Sequence, residues 1–321
     1  MNSYPRSAKQ LPADIAFSGV LNALGCFGIW GLFPLYFKAL NQVPAGEVLA
    51  HRVLWSVVVL LVLVALRGRQ RKLLAEFRDW RHLRFYLVTA LLISANWLLY
   101  IWAVQNGRIL EASLGYYINP LVSVVLGVLF LRERLNRHQW IAVAIAAVGV
   151  LVLVVGYGTF PWISLTLALS FGGYGLLRKK AGHDAVLGLC VETALLAPVA
   201  LLFLAVLALR GSGALGTVSW HIDLLLLCAG PVTVVPLLMF LEAGRTLRLS
   251  TIGLIHYLTP TLQFLLAVVV YREVFTTMHL TAFCCIWLAL ALYSADAYVG
   301  HRRRGNEAAT LSAVPRRGVA P

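Results

Sequence analysis

Ten apolar runs follow one another along this chain, each about as long as a bilayer is thick, with short basic clusters between them. Hydrocarbon about 30 Å deep needs roughly 20 apolar residues at about 1.5 Å rise per residue. The runs lie at 16–40, 47–66, 85–105, 110–131, 139–155, 161–177, 186–209, 222–241, 250–271 and 278–298. Together they take up about 200 residues, which leaves no room for a separate soluble domain. Composition points the same way: 60% of the residues are hydrophobic and 12% are charged, against about 25% charged in a soluble domain. The expected fold class is an all-α membrane protein of ten transmembrane helices. The first run is too long for the core of a signal peptide and lacks its cleavage pattern, so it counts as the first membrane helix.

The net charge of +14 could suggest nucleic acid, but its distribution argues against that. With the N-terminus placed in the cytoplasm, 22 of the 27 Lys and Arg residues fall in cytoplasmic segments. Lys38, Arg108, Arg210 and Arg272 fall outside, and Arg52 falls within the second run. Positive charge gathers on the cytoplasmic side of multi-pass proteins, so both termini are expected inside. The basic residues after position 300 read as a disordered cytoplasmic tail near anionic headgroups. The five cysteines (Cys26, Cys190, Cys228, Cys284 and Cys285) lie in apolar runs without metal-ligand or redox spacing. They read as small packed hydrophobes.

The chain also repeats itself. Phe27-Gly28-Ile29-Trp30-Gly31-Leu32 resembles Phe171-Gly172-Gly173-Tyr174-Gly175-Leu176. Tyr117, Pro120, Arg132 and Glu133 recur as Tyr257, Pro260, Arg272 and Glu273, all at an offset of 140. Two halves are expected, 16–155 and 160–299, flanked by an N-terminus at 1–15 and a tail at 300–321. Five spans in each half put the second half into the membrane upside down. Inverted repeats of this kind are characteristic of transporters, because one packing opened at either end gives two access states of similar energy.

Several stretches resemble a known family. They are Ala50-His51-Arg52, Asn96-Trp97-Leu98-Leu99-Tyr100-Ile101-Trp102-Ala103, and the run from Leu110 through Glu111-Ala112-Ser113-Leu114-Gly115-Tyr116-Tyr117-Ile118-Asn119 to Pro120. Leu131-Arg132-Glu133-Arg134-Leu135 and Tyr174-Gly175-Leu176-Leu177-Arg178-Lys179-Lys180 complete the set. The chain is similar to the two-repeat EamA-type members of the drug/metabolite transporter superfamily, and within them to the RarD group of chloramphenicol-sensitive proteins. The resemblance implies a ten-helix transporter of the bacterial inner membrane and names no substrate.

Ionisable residues inside spans mark candidate sites, since each needs a partner or a wet cavity. Arg52 lies in span two and Glu192 in span seven, again 140 residues apart. They are expected to share a polar cavity, or to pair, with a structural ion pair or a snorkelling Arg52 as the plainer reading. Asn96 in span three shares a helical stripe with Tyr100 and Gln105, while Tyr116, Tyr117 and Asn119 in span four and His256 and Tyr257 in span nine lie beside the paired prolines. Proline frees a carbonyl and bends a helix, so these six residues are candidates for substrate binding. Ordinary helix–helix hydrogen bonding competes for each of them, and His256 could also carry a proton. Such a lining, polar but largely uncharged, suits a modestly polar organic solute better than a polyanion.

A membrane enzyme would need paired metal-binding carboxylates, a Ser/His/Asp set or a zinc motif, and the sequence has none. A receptor or scaffold would usually carry an extramembrane domain, whereas the longest loop, 67–84, has 18 residues. The expectation is a permease, not an enzyme, with no cofactor and no metal. Its partners are a small-molecule solute and the lipid bilayer, not nucleic acid, and a homodimer is left open.

Overall fold

The computed structural model describes residues 13–106, 108–157, 161–270 and, between 277 and 296, all but 279, 283, 290 and 294. Arg6, Lys9, the Arg272-Glu273 match and the 300–321 tail lie outside the described residues. All regular structure among those described is helical, as hydrocarbon requires of backbone that cannot bond to water. The first run divides at Leu32 into α1 (Ala13–Gly31) and α2 (Phe33–Ala39). Pro34 sits in the first turn of α2, where its missing N–H leaves no bond unmade. Span two is α3 (Ala45–Leu66).

The 67–84 segment, read as a loop, holds a further helix, α4 (Gln70–Arg78). It buries Leu73 and exposes Leu74 and several Arg side chains, the division expected of a helix lying along a membrane surface. Span three begins earlier than its apolar run, as α5 (Trp80–Gln105), because Asp79 caps it by accepting from the backbone N–H groups of Arg81 and His82. Then come α6 (Ile109–Leu131), α7 (Arg137–Tyr157), α8 (Trp162–Ala181), α9 (Ala185–Leu209) and α10 (Trp220–Thr246). Span nine is interrupted. It comprises α11 (Leu249–Ile255), α12 (Leu258–Leu265) and a π-helical turn at Leu266–Val270. The matched prolines thus behave differently: α6 runs on through Pro120, whereas the interruption at His256-Tyr257 lies just ahead of Pro260.

Seven helices among the described residues are long and apolar enough to cross a membrane. They are Phe17–Ala39, Ala45–Leu66, Trp80–Gln105, Leu114–Leu131, Arg137–Gly156, Ala185–Leu209 and Trp220–Thr246. A shorter apolar helix runs over Leu280–Tyr293. The chain is a multi-pass membrane protein.

By contact it falls into two compact units, one of residues 1–133 and 157–274, the other of 134–156 and 275–321. Within the first unit, α1 lies against α10 and α12, α8 against α5 and α6, and α3 against α9 and α10. One core cluster gathers Phe27, Leu60, Tyr86, Tyr174 and Phe240; another gathers Phe37, Leu40, Tyr100, Ile163 and Leu226. The α3–α10 contact is close because position 230 has no side chain: a Cβ there would come 2.6 Å from the Trp55 backbone. In the second unit Gly149 lets α7 approach the Ala282 carbonyl in the same way.

Candidate functional site

Helix α3 is apolar along most of its length, yet Glu47, His51, Arg52 and Ser56 are all buried on it. Arg52, 3% exposed, donates from Nε to Thr233 Oγ1 on α10 at 3.0 Å. Its guanidinium carbon lies 4.5 Å from the Trp97 ring centre, 5.4 Å from Phe37 and 5.9 Å from Phe33. The phenols of Tyr36, Tyr100 and Tyr116 lie near it, and no carboxylate comes within 4 Å among the described residues. A charge at the centre of a membrane helix costs about 2.5–3.5 kcal/mol on insertion scales, and Arg52 lies two turns inside α3. Aromatic faces return about 0.5–2 kcal/mol of that. The cation is therefore held, but not neutralised.

A second set of polar residues ties α5 and α6 to α8, and the end of α11 to α6. Asn96 donates to the Leu167 carbonyl and to Ser170 Oγ, both at 2.9 Å. Asn119 donates from Nδ2 to the neighbouring carbonyl of Ala168 at 3.0 Å, which turns its Oδ1 toward His256 Nδ1, 3.1 Å away. An amide oxygen only accepts, so His256 carries its proton on Nδ1 and presents Nε2 as an acceptor. That Nε2 is buried and meets no donor among the described residues; the Tyr257 hydroxyl is likewise buried and unpaired.

Aromatic rings join the two groups. Phe37 packs on Tyr100 (5.7 Å between ring centres), Tyr100 on Tyr116 (5.3 Å), and Tyr116 on His256 (5.8 Å). His256 stacks on Phe27 at 4.5 Å and meets Phe171 edge-on at 5.8 Å, and Phe171 meets Trp30 at 5.3 Å. Phe27 and His256 are fully covered, while Trp30, Tyr116 and Phe171 leave part of their rings uncovered.

Glu192 stands apart from this arrangement. Its carboxylate accepts from Thr89 Oγ1 at 2.5 Å and Tyr174 Oη at 3.2 Å, and lies 3.4 Å from Arg178 Nη1. Arg178 in turn lies over the Tyr86 ring at 5.6 Å. The two charges at the 140-residue offset therefore take different partners, Thr233 and aromatic rings for Arg52 and Arg178 for Glu192. Of the two arrangements considered for Arg52 and Glu192, a shared cavity or a pair, the pair does not form: Glu192 pairs with Arg178. Arg178 escaped notice because it opens a basic cluster at a helix end and counts naturally as a cytoplasmic charge.

Of the other candidates, Tyr117 is buried beside Tyr257 in the same layer. Asn96 and Asn119 each donate to a helix carbonyl, and Asn96 also to the Ser170 hydroxyl. Phe27, Trp30, Phe37, Phe171 and Thr233 are not among the candidates that the sequence offers. The signal available for Phe27, Trp30 and Phe171 was their place in the repeated glycine-aromatic segments.

Residues 17–155 match the EamA-like transporter family. A protein of Vibrio cholerae serotype O1 described as an uncharacterized transporter is 47% identical over 290 residues, which span 90% of this chain and 96% of the relative. This chain belongs to the EamA-like transporter family. The RarD protein of Escherichia coli K12 is 46% identical to this EamA-like protein over 285 residues, 89% of one chain and 96% of the other. A crystal structure that covers 86% of this chain and 96% of its own superposes with a TM-score of 0.65 at 18% identity, a likeness of fold. Family and relatives together make this EamA-like chain a membrane transporter.

Proposed function

We propose that the chain is an inner-membrane permease that moves a small, modestly polar organic solute by alternating access. Its repeats are 16–155 and 160–299, with ten crossings and both termini in the cytoplasm. Spans three, four, eight and nine line the central site, and span one or span six is the moving wall.

The observation that carries this reading is a pair of hydrogen bonds. Asn119 of span four donates to a carbonyl of span six, Ala168. Thr259 of span nine donates to a carbonyl of span one, Phe27, at 2.8 Å. Position 259 lies 140 residues beyond 119, the offset that relates the two halves in the sequence. Contacts follow the same exchange: span six lies against spans three and four, and span one against spans eight and nine. An upside-down copy produces such crossed ties.

Solute flux into liposomes holding the purified protein tests the activity. A single cysteine at Tyr116, in a cysteine-free background, tests the mechanism. Membrane-impermeant thiol reagents should reach it from either side, in proportions that a transported solute changes. Labelling from one side alone under every condition would exclude alternating access at this site. Reporter fusions after Leu215 and after His301 should report opposite compartments.

A further inference from the structure

We propose that the transported solute is an organic monoanion: a planar, apolar body bearing one carboxylate or comparable acid group, which Arg52 receives. The proposal rests on the transporter reading and names the substrate class for the same site.

Arg52 shows a cation without a counter-ion. No carboxylate lies within 4 Å of it among the described residues, whereas Arg69, Arg178 and Arg245 each meet one. Its single hydrogen bond uses Nε, on Thr233. Nη1 and Nη2 stay without an acceptor among the described residues, and they form the edge of the fork that takes a carboxylate through two parallel bonds. Trp97, Phe37 and Phe33 brace the guanidinium in place without neutralising it. An arginine kept for packing alone would be served as well by an uncharged side chain, and a structural cation would have been given a carboxylate. One uncompensated charge fits one negative charge.

The body of the solute follows from the neighbouring surface. The rings of Trp30, Tyr116 and Phe171 are all partly uncovered; Tyr116 meets the Arg52 cage through Tyr100, and Phe171 and Trp30 join it by way of His256. Flat aromatic walls favour flat apolar partners through offset or edge-on contact.

Binding of paired probes, each an organic acid and its neutral amide (3-phenylpropionate with its amide, indole-3-acetate with its amide), should be followed by tryptophan fluorescence of the detergent-solubilised protein. At least one acid should bind about tenfold more tightly than its amide, since a bond to a charged group is lost in the amide. Arg52→Gln should bring the two within about twofold, and Arg52→Lys, which keeps the charge but loses the fork, should retain part of the preference. Lysine also provides a folded charged control if the glutamine variant is unstable. Flux into liposomes is measured on the same preparations. If neutral or cationic solutes cross and no acid is preferred over its amide, the monoanion proposal is overturned and the transporter reading stands. If no solute crosses at all, the transporter reading itself has failed.

Discussion

The guanidinium of Arg178 occupies the space that a side chain at position 188 would need. Gly188 lies on α9 one turn before Glu192, and a Cβ there would overlap Arg178 Nη1, Nη2 and Cζ. The glycine is what lets the buried ion pair close. In an ordinary helix interior Gly→Ala gains about 1 kcal/mol. Here Gly188→Ala should displace Arg178 and strand Glu192, and losing one partner of a buried pair costs about 3–5 kcal/mol. Thermal unfolding in detergent should therefore show a lower Tm for Gly188→Ala; a rise would mean that Arg178 can leave freely.

The two buried cations should behave independently. Arg52 and Glu192 share no partner, so their alanine substitutions should add to within about 0.5 kcal/mol in denaturant titrations. Arg178→Ala and Glu192→Ala should instead couple by about 0.5–3 kcal/mol, with the double variant less damaged than the sum. Coupling in the first cycle and none in the second would reverse the assignment of partners.

Gly230→Ala is predicted to open the α3–α10 contact. The obstacle is the backbone of Trp55, which cannot turn aside as a side chain can. Overpacking of this kind costs about 1–3 kcal/mol. Because Arg52 on α3 reaches Thr233 on α10, the same change should also weaken solute binding. An unchanged Tm together with unchanged binding would argue against so close a crossing.

Asp184, in the turn before α9, sets an acid limit on stability. Burial raises its pKa, but the Leu187 N–H and the Arg69 guanidinium, 2.9 Å away, outweigh that, and the net shift is downward from 3.8. A lowered folded-state pKa means a contribution fully present above the unfolded value and lost as pH falls through the folded one. The expected window lies below pH 3.8. Asp184→Asn should keep the helix cap, lose the pairing with Arg69, and cost no more than about 1 kcal/mol at neutral pH. Tm profiles from neutral to acid pH should converge for the two proteins at the acid end.

Much of the fold was legible because lipid imposes simple lengths. The runs that became α3, α9 and α10 needed only to be counted, whereas the division between α1 and α2 lies inside a run read as one span. Helix α4 was hidden because its apolar residues, Leu73, Leu74 and Phe77, are few and sit among arginines. At the site, His256 and Asn119 stood out as polar residues in apolar runs, and they do meet. Thr89, Tyr174 and Thr233 carry no such mark. A single hydroxyl in a hydrophobic stretch has no spacing to reveal it, and whether it meets a charge is decided by packing between segments more than a hundred residues apart. The offset of 140 correctly singled out Arg52 and Glu192 as unusual. It could not say which partners they take, since a shared offset marks a position along the chain and not the packing around it.

The broken span nine gives the wall of the site one compliant section. Helices of seven and eight residues are too short to hold their shape alone, so α11 and α12 are kept straight by α6 and α1 pressed against them. The joint between them carries His256 and Tyr257, whose Nε2 and hydroxyl are buried without a partner among the described residues. Facing it, α6 is a single rod of 23 residues. At the proposed site, a ligand wedged between a stiff wall and a jointed one would load the joint first, and so the backbone that holds His256.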